Sequence, residues 1–229
     1  MSTIADEPVS ISVDEDVHVS ALLHRPARAW ACYVLAHGAG AGMRHPFMAA
    51  VAACLAERGI ATLRYQFPYM EKGSRRPDSP KLAHATIRAA AATARRLVPE
   101  LPLVAGGKSF GGRMTSQAQA ATPIPGIRGL AFLGFPLHPA GRPAQERGKH
   151  LLDICVPMLF LQGTRDALAA LDQIEPLCKQ LGGHATLRLF DGADHSFHVP
   201  ARSGQTDAQV RDAMLDDLSA WIDQATGRS

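Results

Sequence analysis

Gly106-Gly107-Lys108-Ser109-Phe110-Gly111-Gly112 joins an apolar run, Leu101 to Ala105, to a segment of helical pattern from Phe110 to Ala121. A short apolar run feeding a helix through a glycine-flanked turn reads as a strand covered on both faces, the unit of an α/β sheet. Within it Gly107-Lys108-Ser109-Phe110-Gly111 has G-x-S-x-G spacing. Glycine on either side permits so sharp a turn that the serine sits in a strained backbone conformation, its hydroxyl raised above the sheet at a helix N-terminus. The free N–H groups there favour negative charge, and the Phe110 N–H is one expected donor to a substrate oxyanion. Taken alone, the motif equally describes a tight turn with a capping serine. A phosphate-binding loop would also end Gly-Lys-Ser, but it needs glycine where Pro102 stands, which argues against a nucleotide.

The rhythm around this turn extends in both directions. Val9 to Val13 and Val17 to Leu23 alternate apolar and polar residues about Asp14-Glu15-Asp16, as an antiparallel hairpin at a sheet edge does. Strands are predicted at Ala31–Ala36, Ile60–Tyr65, Leu101–Ala105, Leu130–Phe135, Met158–Gln162 and Ala185–Phe190. Helices are predicted at Pro46–Arg58, Pro80–Leu97, Phe110–Ala121, Ala169–Leu181 and Thr206–Gln224. This alternation predicts a doubly wound, mostly parallel α/β sheet flanked by helices. Without repeats, low-complexity tracts or linker-like stretches, residues 1–229 read as a single domain.

Ligands of such sheets bind beyond the carboxyl ends of the strands, so the corners there carry the functional reading. A serine needs a base to become nucleophilic, and the base needs a carboxylate to fix its tautomer. Gly163-Thr164-Arg165-Asp166 and Gly192-Ala193-Asp194-His195-Ser196-Phe197 both follow late strands. Ser109, Asp166 and His195 come in the chain order that this architecture imposes on a catalytic triad. Asp166 also suits a helix N-cap and His195 a polar loop; Asp194 is the competing acid, but adjacency to His195 points its side chain away. His37-Gly38-Ala39-Gly40, after the first central strand, is where a second oxyanion donor is expected: Ala39 first, then Gly40. The spacings His195/His198 and His37/His45 lack a companion carboxylate, so no metal or other cofactor is expected. Phe67, Tyr69, Phe135, Leu137, His138 and Phe197 lie near strand ends and are candidates either for the pocket or for the core.

At 46% hydrophobic composition the 229 residues can bury a full core. The net charge of +3 is spread along the chain without a basic stripe, which disfavours nucleic acid as a partner. Lys72, Arg75 and Arg76 read as a solvated loop. The acidic start from Met1 to Pro8 lacks the pattern of a signal peptide, and no apolar run reaches membrane-spanning length. A cytoplasmic protein with no membrane contact is expected, and its four scattered cysteines read as reduced core residues.

With these corners in view the sequence resembles the α/β-hydrolase superfamily over nearly its whole length. Gly106 to Met114, Leu63-Arg64-Tyr65-Gln66-Phe67-Pro68-Tyr69 and Arg76-Pro77-Asp78 are similar to a small subgroup that contains testis-expressed protein 30 and the third subunit of the NSL acetyltransferase complex. The resemblance implies eight strands with one antiparallel, a nucleophile elbow at Ser109 and an acyl-enzyme mechanism on a small-molecule acyl substrate. Dienelactone hydrolases are similar in size and layout but carry a cysteine nucleophile. Many relatives insert a lid between the strands corresponding to Leu130–Phe135 and Met158–Gln162; here only Pro136 to Pro157 is available, so an open site without a large lid is expected. The chromatin-complex relative suggests the alternative of a binding or assembly module that keeps the fold.

Overall fold

The computed structural model describes residues 5–228; residues 1–4, on which the reading of the N-terminus partly rests, lie outside them. The strands are β1 (Glu7–Ser12), β2 (His18–His24), β3 (Ala31–Ala36), β4 (Ile60–Tyr65), β5 (Leu103–Lys108), β6 (Ile127–Leu133), β7 (Met158–Gly163) and β8 (Ala185–Phe190). They form one sheet in the order β1-β2-β4-β3-β5-β6-β7-β8. Only β2 runs against the others: it pairs antiparallel with β1 and β4, and the pairs from β4 to β8 are parallel. Helices α1 (Pro46–Glu57), α2 (Pro68–Glu71), α3 (Pro80–Leu97), α4 (Phe110–Ala121), α5 (Leu171–Leu181) and α6 (Asp207–Thr226) complete the layers.

Alternating strand residues feed two cores. Cys32, Val34 and Ala36 of β3 join Ala83, Ile87 and Met114 from α3 and α4 on one face. Ala31, Tyr33 and Leu35 join Met48, Val51, Met214 and Leu218 from α1 and α6 on the other. Every residue of β3, β4 and β7 is buried, as strands covered on both faces must be.

Several boundaries differ from the sequence reading by one or more residues, and three elements show why. β5 begins at Leu103, because Pro102 has no N–H to donate, and it runs on through Gly106 and Gly107 to Lys108. Those glycines adopt φ +149° and +148° and keep pairing with β3 and β6. β6 spans Ile127–Leu133 rather than Leu130–Phe135, since Gly134 leaves the strand at φ +72°. Helix α5 starts at Leu171 rather than Ala169, because Ala169 N–H closes a turn onto Asp166 O. The cysteines are free, but only Cys32 and Cys178 are core residues; Cys54 is half-buried and Cys155 exposed.

The segment between β6 and β7 forms a short 3₁₀ stretch, Glu146–Asp153, that buries Leu151; it builds no helical cap over the sheet. Gly106 and Gly107 serve the centre of the sheet. A Cβ on Gly106 would lie 1.8 Å from Ala131 O, and one on Gly107 would lie 2.2 Å from Ala36 O. Across β5, the Tyr33 hydroxyl donates to Ala131 O at 2.8 Å. Gly107→Ala should therefore lower stability by about 2–4 kcal/mol. Gly183→Ala, which meets nothing within 4 Å, should stay within about 0.5 kcal/mol of wild type. Urea unfolding of both proteins checks this, and equal midpoints would contradict it.

Candidate active site

The turn from β5 into α4 holds Ser109 at φ 50° and ψ −115°, a conformation that a non-glycine residue adopts only under constraint. The constraint comes from packing of Gly107 and Gly111 against β3. A Cβ on Gly111 would sit 2.6 Å from His37 O, as one on Gly107 would press on Ala36 O. The two motif glycines thus let the elbow close on the end of β3, which brings the His37–Gly40 loop alongside Ser109.

Ser109 Oγ lies 2.8 Å from His195 Nε2, and His195 Nδ1 lies 2.7 Å from Asp166 Oδ2. With Nδ1 donating to the carboxylate, Nε2 is free to accept the serine proton. Asp166 is buried, and its charge is met by three donors: His195, the Leu168 N–H at 2.8 Å and the Gln162 side-chain amide. Gln162 is itself fixed, accepting the Phe135 N–H at 2.9 Å. Asp194 is occupied elsewhere, accepting from the Ser196 and His198 amides at 2.7 and 3.0 Å, which shapes the histidine loop.

The structure also holds a Ser–His contact at least as short, between Ser116 Oγ and His150 Nε2 at 2.7 Å. Its hydrogen-bond polarity is opposite. The Ser116 hydroxyl donates to Arg113 O at 2.8 Å, so His150 Nε2 serves as donor rather than base, and no carboxylate hydrogen-bonds its ring among the described residues. Burial and the neighbouring Arg113 push His150 down to about 4.

Of the expected oxyanion donors, the Phe110 N–H and the Ala39 N–H take no acceptor among the described residues. Gly40 differs: its N–H donates to the Tyr69 hydroxyl at 2.9 Å. His37 holds the base of this loop, with Nδ1 donating to Gly38 O at 2.7 Å and Nε2 accepting the Phe67 N–H at 3.1 Å. Burial pushes the His37 ring down to about 4 despite the Gly38 bond.

Lys108, the variable residue of the G-x-S-x-G spacing, has a role in the site that the sequence does not show. Its Nζ donates to His195 O at 2.5 Å and sits 5.5 Å from the centre of the Phe197 ring. Burial pushes the ammonium down to about 8, with Asp166 and Asp194 pulling the other way. Lys108 thus ties the serine turn to the histidine loop.

A cavity of about 400 Å³ opens over Ser109 and His195, walled by Ala39, Phe47, Met48 and Leu168. None of the six residues singled out near the strand ends lines it. Phe67, Tyr69, Phe135, Leu137, His138 and Phe197 are all buried. Phe47 and Met48 were missed because they read as the core face of a helix; the signal was their place in the first turn of α1, directly after the oxyanion loop. Lys72, Arg75 and Arg76 are exposed away from the cavity. Among the described residues no three His, Cys, Asp or Glu side chains are grouped to hold a metal ion, and no helix is long and apolar enough to cross a membrane.

The Alpha/beta hydrolase domain family matches residues 29–223. The chain belongs to this family. Its fold is shared with solved structures of low sequence identity. A dienelactone hydrolase from Anabaena variabilis superposes with TM-score 0.77 at 22% identity, over 95% of this chain and 96% of that one. An α/β serine hydrolase homologue from Coxiella burnetii gives 0.75 at 18% identity, over 95% and 100%. A serine hydrolase without a lid from Xanthomonas campestris gives 0.72 at 20% identity, over 96% and 97%.

The neutral His37 has a consequence for stability. The unfolded chain takes up this proton near pH 6.5 and the folded chain only near pH 4. Below 6.5 the unfolded state therefore binds more protons, and stability falls as pH drops towards 4, by up to about 1.4 kcal/mol per pH unit from this group. In His37→Asn the decline measured by urea unfolding between those pH values should be shallower; parallel slopes would refute it.

Proposed function

We propose that this protein is a serine hydrolase that cleaves an ester-like acyl bond of a small molecule through an acyl-enzyme. The observation that carries the reading is the continuous chain Ser109 Oγ–His195 Nε2, His195 Nδ1–Asp166 Oδ2, beside two amides that meet no acceptor among the described residues. His195 removes the Ser109 proton as Oγ attacks the carbonyl carbon, and Asp166 stabilises the imidazolium that forms. The Phe110 and Ala39 N–H groups receive the oxyanion. Collapse expels the alcohol with the proton from His195; water, deprotonated by the same ring, then releases the acid and restores Ser109. Phe47, Met48 and Leu168 around the cavity favour a small apolar group on the acyl side.

Residues 1–229 are then one hydrolase domain acting in the cytoplasm. The Gly106–Met114, Leu63–Tyr69 and Arg76–Asp78 motifs put the chain near the subgroup that contains testis-expressed protein 30 and the third subunit of the NSL acetyltransferase complex. Ser109→Ala should abolish covalent labelling by a fluorophosphonate and turnover of p-nitrophenyl esters while leaving the unfolding midpoint close to wild type. His195→Ala should lower kcat/KM by about 10⁴ or more. Labelling that persists in Ser109→Ala would refute the assignment of the nucleophile.

A further inference from the structure

The turn that carries Ala39 is held by a part of the chain that the chemistry above does not use. Gly38 to Ala41 form a tight turn closed by the Ala41 N–H to Gly38 O at 3.2 Å, with Gly40 in its third position at φ +73°. Such a turn needs glycine there. The peptide between Ala39 and Gly40 stands across the turn and is the unit that flips when a turn of this kind rearranges. No atom outside the turn lies within 4 Å of where a Gly40 Cβ would be, so packing does not hold the turn tip at that point. A polar contact does: the Gly40 N–H to the Tyr69 hydroxyl at 2.9 Å.

Tyr69 is well placed to hold it. Tyr69 is 3% exposed and its ring lies at an edge of the His37–Phe67 aromatic group, 6.1 Å from the His37 ring. Burial raises its phenol pKa, with Asp78 adding to the rise and the Gly40 bond opposing it, so the hydroxyl stays neutral. Its own backbone is fixed from the Arg76-Pro77-Asp78 segment, where Asp78 Oδ2 accepts the Tyr69 N–H at 3.1 Å. Neighbouring residues of the same stretch hold the rest of the loop. The Gln66 side-chain oxygen accepts the Met43 N–H at 2.9 Å, the Phe67 N–H meets His37 Nε2, and Arg64 Nη1 reaches Met43 O at 3.4 Å.

We propose that Tyr69, seated by Asp78, is a positioning residue for the oxyanion hole: its hydroxyl holds the Ala39–Gly40 peptide with the Gly40 N–H turned onto the phenol, which leaves the Ala39 N–H as this loop's donor. The inference rests on the serine hydrolase reading and deepens it. It gives the Leu63–Tyr69 and Arg76–Asp78 motifs a task that neither has in the chemical steps, and it removes Gly40 from the pair of candidate loop donors. A loosened turn leaves substrate free to bind but lets the donor wander as charge develops, so the loss falls on kcat.

The test uses the whole protein with p-nitrophenyl acetate as substrate, an alkylboronic acid as transition-state mimic, and amide hydrogen exchange of Gly40 followed by NMR. Tyr69→Phe should lower kcat about tenfold, less than deletion of a donor would, with KM within about twofold. The boronate inhibition constant should rise by a factor similar to the fall in kcat, and Gly40 exchange should quicken at least about tenfold. Asp78→Ala should act in the same direction, and Asp78→Asn, which keeps an acceptor oxygen, should recover most of the lost rate. A purely structural role would lower the unfolding midpoint and leave kcat well below that temperature unchanged; that result, or Gly40 exchange unaltered in Tyr69→Phe, overturns the inference. If wild type turns over no ester while Gly40 exchange still depends on Tyr69, the hydrolase reading fails and the clamp itself stands.

Discussion

The close approach of β5 and the first turn of α4 to the end of β3 is the constraint on which the site depends. Two backbones pass where a single methyl group would collide, at Gly107 against Ala36 O and at Gly111 against His37 O. The elbow and the loop beside it follow from that contact. It forces Ser109 into its strained turn, it aims the N-terminus of α4 at the crevice, and it sets the His37–Gly40 loop beside the hydroxyl. The strain at one residue is sustained because β3 and β5 up to Gly107 are buried, and β5 is hydrogen-bonded to a strand on each side.

Electrostatics at the site rests on which groups burial leaves neutral and which it leaves charged. His37 is buried among aromatic rings and kept neutral, so that one nitrogen donates and the other accepts, and both fix backbone. Asp166 is equally buried, yet three donors surround its carboxylate, the condition under which a charge in the interior is tolerated. Lys108 lies between these cases. Among the described residues its ammonium has one hydrogen-bond acceptor, His195 O, and the carboxylates of Asp166 and Asp194 act on it through space.

The sequence made the corners legible because each combines a strand end with residues whose backbone or side-chain chemistry is distinctive: glycine about Ser109, glycine and alanine after His37, an acid and a histidine after late strands. The order of the elements was legible from the alternation of strand and helix patterns, and the single antiparallel strand from the family resemblance. The limits of β5 and β6 were not. Glycine ordinarily weakens a strand, and only the neighbouring backbones explain why Gly106 and Gly107 continue one. The cavity walls were also hidden, since Phe47 and Met48 carry the same apolar signature whether a helix turns them to the core or to a crevice. Tyr69 reads from sequence only as a pocket or core candidate and Asp78 only as part of a motif, because a hydroxyl that reaches a backbone amide 29 residues earlier leaves no periodicity to read.

Proximity alone does not distinguish a catalytic serine from a structural one. Ser116 with His150 is at least as close as Ser109 with His195. The difference lies in where each proton is held. Arg113 O takes the Ser116 hydroxyl proton, so His150 has nothing to remove, and nearby positive charge opposes the imidazolium that a base must become. At Ser109 no carbonyl competes for the hydroxyl among the described residues, and a buried carboxylate stands behind the ring. The polarity of the hydrogen bonds, set by third partners such as Arg113 O and Asp166, therefore decides which of two similar contacts is able to generate an alkoxide, and it favours Ser109.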